Sequence, residues 1–110
     1  MTESVRQING SAFEQEVEKA QSPVVVDFYA DWCGPCKMVA PVIEQLSQQY
    51  EGRAKFVKVN TDENQELAMK FGIMSIPTVM FFMGGKVKDV VIGVAPAAVF
   101  KQKLDSAISA

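Results

Sequence analysis

Two cysteines, Cys33 and Cys36, stand three positions apart in Trp32-Cys33-Gly34-Pro35-Cys36-Lys37, and the 110-residue chain has no others. Sulfur at this spacing has few uses. A structural disulfide closing so short a loop is worth roughly 2 kcal/mol by chain-entropy reasoning, and a cytosol would reduce it. A tetrahedral zinc site needs four ligands, and with no histidine and no further cysteine the chain cannot complete one. Covalent haem attachment needs histidine directly after the second cysteine, where Lys37 stands. Reversible exchange between a dithiol and a disulfide is what remains. The absence of histidine also leaves proton chemistry to carboxylates, lysines and thiols.

Position adds to spacing. The pair falls between a strand-like run and the start of a long helical pattern, so Cys33 sits near a helix N-terminus, where unpaired N–H groups and the macrodipole favour a thiolate. Such a terminus supplies up to about 2 kcal/mol, and one pKa unit corresponds to about 1.36 kcal/mol. A lowering of about one unit from roughly 8.5 follows for the first thiol. Asp27 lies inside Val24 to Tyr29, where burial should raise its carboxyl pKa. It can pass protons to and from Cys36 through water, or it can be a structural acid paired with Lys58 across neighbouring strands. Lys58 in turn either tunes Asp27 or merely snorkels to the surface from an apolar alternation.

The elements that must position these groups are legible in the pattern. Ser4 to Ile8 reads as a short edge strand. Ser11-Ala12-Phe13-Glu14 has the form of a capping box, with Phe13 and Val17 on one face of a helix running to about Ala20. Val24 to Tyr29 is β-branched and aromatic, as a strand covered on both faces requires. Met38 to Tyr50 predicts a long helix, bent at Pro41. Phe56 to Val59 reads as a strand and Gln65 to Phe71 as a helix ended by Gly72. Thr78 to Met83 and Lys86 to Ile92 flank Gly84-Gly85, a two-residue hairpin signal. Pro96 then suits the first position of a terminal amphipathic helix carrying Val99, Phe100, Leu104, Ala107 and Ile108 on one stripe. This order predicts an α/β domain over residues 1–110, a mixed sheet of about five strands with about four helices on its two faces.

Composition is that of an ordinary globular domain, 48% hydrophobic and 22% charged. A net charge of -2 gives no source for phosphate attraction, so no nucleic-acid partner is expected. Apolar runs are far shorter than the roughly 20 residues of a membrane helix, and Met1 to Phe13 shows neither a basic start nor an apolar stretch of signal-peptide length. A cytoplasmic monomer without membrane attachment is the expectation.

Across nearly its whole length the chain resembles the thioredoxin family, whose members are themselves the standard instance of a Cys-x-x-Cys pair with a lowered thiol pKa. The resemblance rests on Trp32 to Lys37 together with Asp27, Pro41, Lys58, Ser75-Ile76-Pro77-Thr78 and Gly93. It implies the thioredoxin fold, with Cys33 as nucleophile, Cys36 as resolving thiol and Asp27 as proton-transfer group. It also implies a cis Ile76–Pro77 bond facing the cysteines, although sequence alone suits an ordinary trans proline opening a strand. Trp32, Gly34, Pro35, Ile76, Pro77, Ile92 and Gly93 would form a shallow surface for disulfide-containing protein substrates. The redox-active disulfide would be the whole equipment, with no bound cofactor, and electrons would come from a flavoprotein or ferredoxin-linked thioredoxin reductase. The chain departs from the family's common pattern at Tyr29, Met74 and Gly84, none of which is at a sulfur. Gly34-Pro35 between the cysteines favours a reductant, with an isomerase or oxidant as the alternative. A binding module or assembly subunit using the same surface without redox turnover is the rival of another class.

Overall fold

The computed structural model describes residues 4–109. The first three residues of the segment read for an export signal therefore lie outside the described residues. Five strands form one mixed sheet in the order β1-β3-β2-β4-β5, with β1 at Val5–Gln7, β2 at Val24–Tyr29, β3 at Lys55–Asn60, β4 at Thr78–Met83 and β5 at Lys86–Ile92. β1, β3 and β2 run parallel, while β4 is antiparallel to β2 and to β5. The parallel pairs need crossover helices, and the antiparallel β4–β5 pair needs only its turn. Gly84 and Gly85 make that turn with φ of +62° and +80°, a region that an L side chain rarely adopts.

Strand alternation sends side chains to two cores. On one face Val25, Phe56, Val79, Phe81 and Val91 pack against Val39, Ile43 and Leu46 of α2 (Gly34–Gln49) and Phe100 and Leu104 of α4 (Ala97–Ser109). On the other face Val24, Val26, Phe28, Val57 and Val59 meet Phe13, Val17 and Leu67. There Phe71 lies edge-on to Phe82 at 5.4 Å between ring centroids, the arrangement that aromatic quadrupoles favour. Because β2 is central, five of its six residues are buried. Period two places Asp27 and Tyr29 on the same side as Val25, beneath α2. At the far end of that helix the Tyr50 hydroxyl donates to Asp105 Oδ1 and accepts from Lys101 Nζ, tying α2 to α4.

Three helix starts differ from the pattern. Helix α1 (Gly10–Phe13) begins before Ser11, with Asn9 as its N-cap and no side-chain capping bond from that residue. The Gly10 N–H is satisfied instead by Asn64 Oδ1 at 2.7 Å, a partner 54 residues away that no capping box can foretell. The same segment continues as a π-helical stretch over Glu14–Glu18, closed by Lys19 N–H donating to Glu14 O at 2.8 Å. Helix α2 starts at Gly34 rather than Met38, since Cys33 caps it and Pro35 occupies its first turn. Gly34 to Lys37 carry no apolar period because the first turn projects Gly34, Pro35 and Lys37 into solvent. Pro41 lies within this helix. Helix α4 begins at Ala97, one residue beyond Pro96, whose carbonyl accepts the Val99 N–H at 2.9 Å. Helix α3 spans Gln65–Lys70, as the pattern predicts to within one residue.

Candidate active site

The site begins where β2 ends and α2 starts. After Tyr29 the chain turns through Ala30 to Trp32, and the Cys33 N–H donates to the Ala30 carbonyl at 3.2 Å. Cys33 has extended backbone angles, φ −86° and ψ 110°, and caps α2 with its own sulfur: Sγ accepts the Cys36 N–H at 3.1 Å. Sulfur thus fills the capping role that Ser or Asp oxygen usually takes. The two cysteines are joined as a disulfide, with Cα atoms 5.3 Å apart. Both residues are only 3% exposed, so whole-residue burial does not rank Cys36 as the less accessible of the two. The exposed Gly34 and Pro35 form the outer surface of this first turn.

The loop before β4 closes on the sulfurs. The Ile76–Pro77 bond is cis, as the resemblance implied, and the Ile76 carbonyl lies 3.7 Å from Cys33 Sγ. In the disulfide this is a contact of van der Waals kind. Among the described residues no hydrogen bond engages the Ile76 N–H. Pro77 is buried and its carbonyl accepts the Gly93 N–H at 2.8 Å. This bond fixes the end of β5 beside the loop, where Gly93 turns with φ +86°. Trp32 is 70% exposed and Ile92 67%, leaving apolar surface around a pair of buried sulfurs. Cys33 and Cys36 thus cluster with Ala30, and Ile76 packs against that cluster.

Below Cys36 a cavity of about 170 Å³ is lined by Asp27, Tyr29, Ala30, Asp31, Cys36, Lys37, Ala40 and Lys58. Asp27 is 4% exposed, and its Oδ1 has no hydrogen-bond partner. Burial raises its pKa from 3.8 to about 7, against a smaller opposing pull from Lys58. A carboxyl group near half-protonation at neutral pH, sharing a cavity with Cys36, is suited to carry a proton either way. Asp27 and Lys58 are register partners on β2 and β3, yet no ion pair joins them among the described residues. The Lys58 ammonium lies instead 5.7 Å from the centroid of the Tyr29 ring.

Sequence reasoning missed Asp62, whose Oδ2 accepts the Trp32 Nε1–H at 2.8 Å and anchors an otherwise exposed indole. Asp62 is held by a turn in which Asn60 Oδ1 accepts the N–H groups of Asp62 and Glu63. The signal was the polar run Asn60 to Asn64 after a strand, which marks a turn but not its neighbour in space. A concavity of about 710 Å³ between the starts of α1 and α3 includes Asp62 and Glu63 of this turn but neither cysteine nor Asp27. No group of three or more acids or cysteines able to hold a metal ion occurs among the described residues.

The thioredoxin family model matches residues 4–106. The chain is 54% identical over 99 residues to "Thioredoxin 1" of Nostoc sp., covering 90% of this chain and 92% of that protein. It is 50% identical over 99 residues to the thioredoxin of Synechocystis sp., with the same shares. Against the chloroplastic M-type thioredoxin of Pisum sativum it is 47% identical over 104 residues, 94% of this chain and 60% of the plant protein. With the cysteine pair at the start of α2 and the mixed five-stranded sheet beneath it, the chain belongs to the thioredoxin family and is a thiol-disulfide oxidoreductase.

Proposed function

We propose that this protein, acting as a single monomeric domain over residues 1–110, is a cytoplasmic electron carrier that reduces disulfides in other proteins and is recharged by a thioredoxin reductase, flavin-dependent or ferredoxin-linked. The observation that carries this reading is the sulfur cap: Cys33 Sγ accepts a backbone N–H at the N-terminus of a 16-residue helix, which stabilises the thiolate over the thiol. The Cys33 thiolate attacks one sulfur of a substrate disulfide, that S–S bond breaks, and the departing thiolate takes a proton. Cys36 then gives its proton through water to the Asp27 carboxylate and attacks the Cys33 sulfur, forming the Cys33–Cys36 bond as the mixed disulfide breaks, and the second substrate thiolate leaves and takes the proton back from Asp27. Two electrons have moved to the substrate, and the chain holds the disulfide. Lys58 tunes Asp27 by its charge.

Substrate docks on Trp32, Gly34, Pro35, Ile76, Pro77, Ile92 and Gly93. The free Ile76 N–H suits an extended substrate segment, which adds main-chain hydrogen bonds as strand-adding peptides do, and apolar contact with Trp32 and Ile92 excludes water from the three sulfurs. No helix among the described residues is long and apolar enough to cross a membrane. Equilibration of the dithiol against glutathione buffers tests the direction of electron flow. A reduction potential near the roughly −270 mV known for thioredoxins supports a reductant, and one near −180 to −120 mV, the range of isomerases and oxidants, refutes it.

A further inference from the structure

Asp27 and Tyr29 project from the same side of β2, and Lys58 stands on the adjoining strand, directly in register with Asp27 and diagonal to Tyr29. A lysine so placed has two partners within reach, an anion and an aromatic face. The ammonium is found at 5.7 Å from the Tyr29 ring centroid, within the distance at which the ring quadrupole attracts a cation, while Asp27 Oδ1 is left without a partner. We propose that Tyr29 is a positioning residue: its ring holds the Lys58 ammonium away from Asp27 and so keeps that carboxyl without a close counter-ion beneath Cys36.

The chemistry of the surroundings agrees. The cavity that holds Asp27 brings it Lys58 from β3, Tyr29 from its own strand, Asp31 from the following turn, and Cys36 and Lys37 from α2; the register partner on β4 is the uncharged Val79. Of the cavity's two cations Lys58 is the one on the adjoining strand and the one that pulls on Asp27, and its distance decides how far the carboxyl is drawn towards its ionised form. The Tyr29 phenol is pushed above its ordinary value by burial and by Asp31, with Glu63 and Asp27 adding to the effect. It stays uncharged across the working pH range, so its attraction for Lys58 is through the ring and does not switch with pH. A ring at this position is therefore needed for electrostatics as well as packing, and Phe would serve as well as Tyr. The inference deepens the proton-transfer role given to Asp27 above, but the placement of Lys58 can be tested apart from that role.

The test is carboxyl 13C NMR titration of Asp27 in the oxidised protein, where the sulfurs do not ionise. Tyr29→Phe should leave the Asp27 midpoint in place. Tyr29→Leu should free the ammonium to approach the carboxylate and lower the midpoint by about one unit, the lower end of what an opposite charge at close range produces. In a Lys58→Met background Tyr29→Leu should then have no effect. An equal fall in both backgrounds would mean that water entry, not Lys58, moved the midpoint, and the proposal would be wrong; an unchanged midpoint in the Lys58 background would also overturn it. Should Tyr29→Leu not fold, the unaltered protein still decides the matter, because Lys58 ε-methylene protons over a ring resonate upfield and those of a solvated lysine do not. A shifted Asp27 midpoint with normal turnover in Asp27→Asn would remove the proton-transfer role and leave the positioning role standing.

Discussion

Replacing Asp27 with Asn should make the protein more stable at alkaline pH, by an amount that follows from burial. The carboxyl pKa is 3.8 when solvated and about 7 in the fold, because desolvation penalises the charged form. Between those values the folded state holds a proton that the unfolded chain has released. The stability that protonated Asp27 contributes is therefore complete below pH about 3.8 and is lost as pH rises through about 7. A rise of roughly three pH units at about 1.36 kcal/mol each gives a loss of about 4 kcal/mol once both states are ionised. Asparagine does not ionise and incurs no such loss. In urea unfolding of the oxidised proteins from pH 4 to pH 9, the stability of Asp27→Asn minus that of the parent should grow with pH by about 4 kcal/mol and level off above pH 8. Any difference in packing between the two side chains adds a constant and leaves the slope intact. A difference that stays flat over this range would show that Asp27 ionises in the fold as it does in water, and the proton-transfer argument would lose its basis.

Other consequences are open to simpler assays. Cys36→Ser should accumulate mixed disulfides with protein substrates through Cys33, seen as mass adducts that dithiothreitol removes, whereas Cys33→Ser should form none and abolish disulfide reduction. Because Trp32 is the chain's only tryptophan, its fluorescence anisotropy reports directly on the bond to Asp62; Asp62→Ala should lower that anisotropy and raise the KM for a protein disulfide while changing stability by less than about 1 kcal/mol. At the β4–β5 turn, a Cβ on Gly85 would meet the Glu18 carbonyl oxygen at 2.7 Å, while one on Gly84 would meet nothing within 4 Å. Both residues have positive φ, so Gly84→Ala should cost about 1 kcal/mol by backbone strain alone and Gly85→Ala distinctly more in chemical denaturation.

The sheet was legible because its strands carry simple signals. Val24 to Tyr29 has no helical period and is buried on both faces, and the β4–β5 hairpin follows from two glycines between alternating runs. Helix starts were less legible, since Gly10 is capped by the side chain of Asn64 and α2 by a cysteine sulfur, neither of which a local capping pattern contains. Within the site, the spacing of Cys33 and Cys36 and the acid inside β2 were visible as chemistry in the sequence. The contact of Ile76 with Cys33 was implied only by the family resemblance, because a proline before a strand does not by itself report its isomer. Asp62 beneath Trp32 and the ring of Tyr29 beneath Lys58 were not legible at all. Each depends on the fold bringing together strand ends and turns some 30 residues apart in the chain.

The central claim is that capping α2 lowers the pKa of the Cys33 thiol, so that a substantial fraction is thiolate at neutral pH and attacks disulfides. Its most direct test is the pH dependence of Cys33 alkylation in the reduced protein, followed together with thiolate absorbance. The account predicts a midpoint about one unit below the roughly 8.5 of free cysteine, with insulin disulfides opened at neutral pH. A midpoint at the free-cysteine value in a protein that opens no disulfide would contradict it.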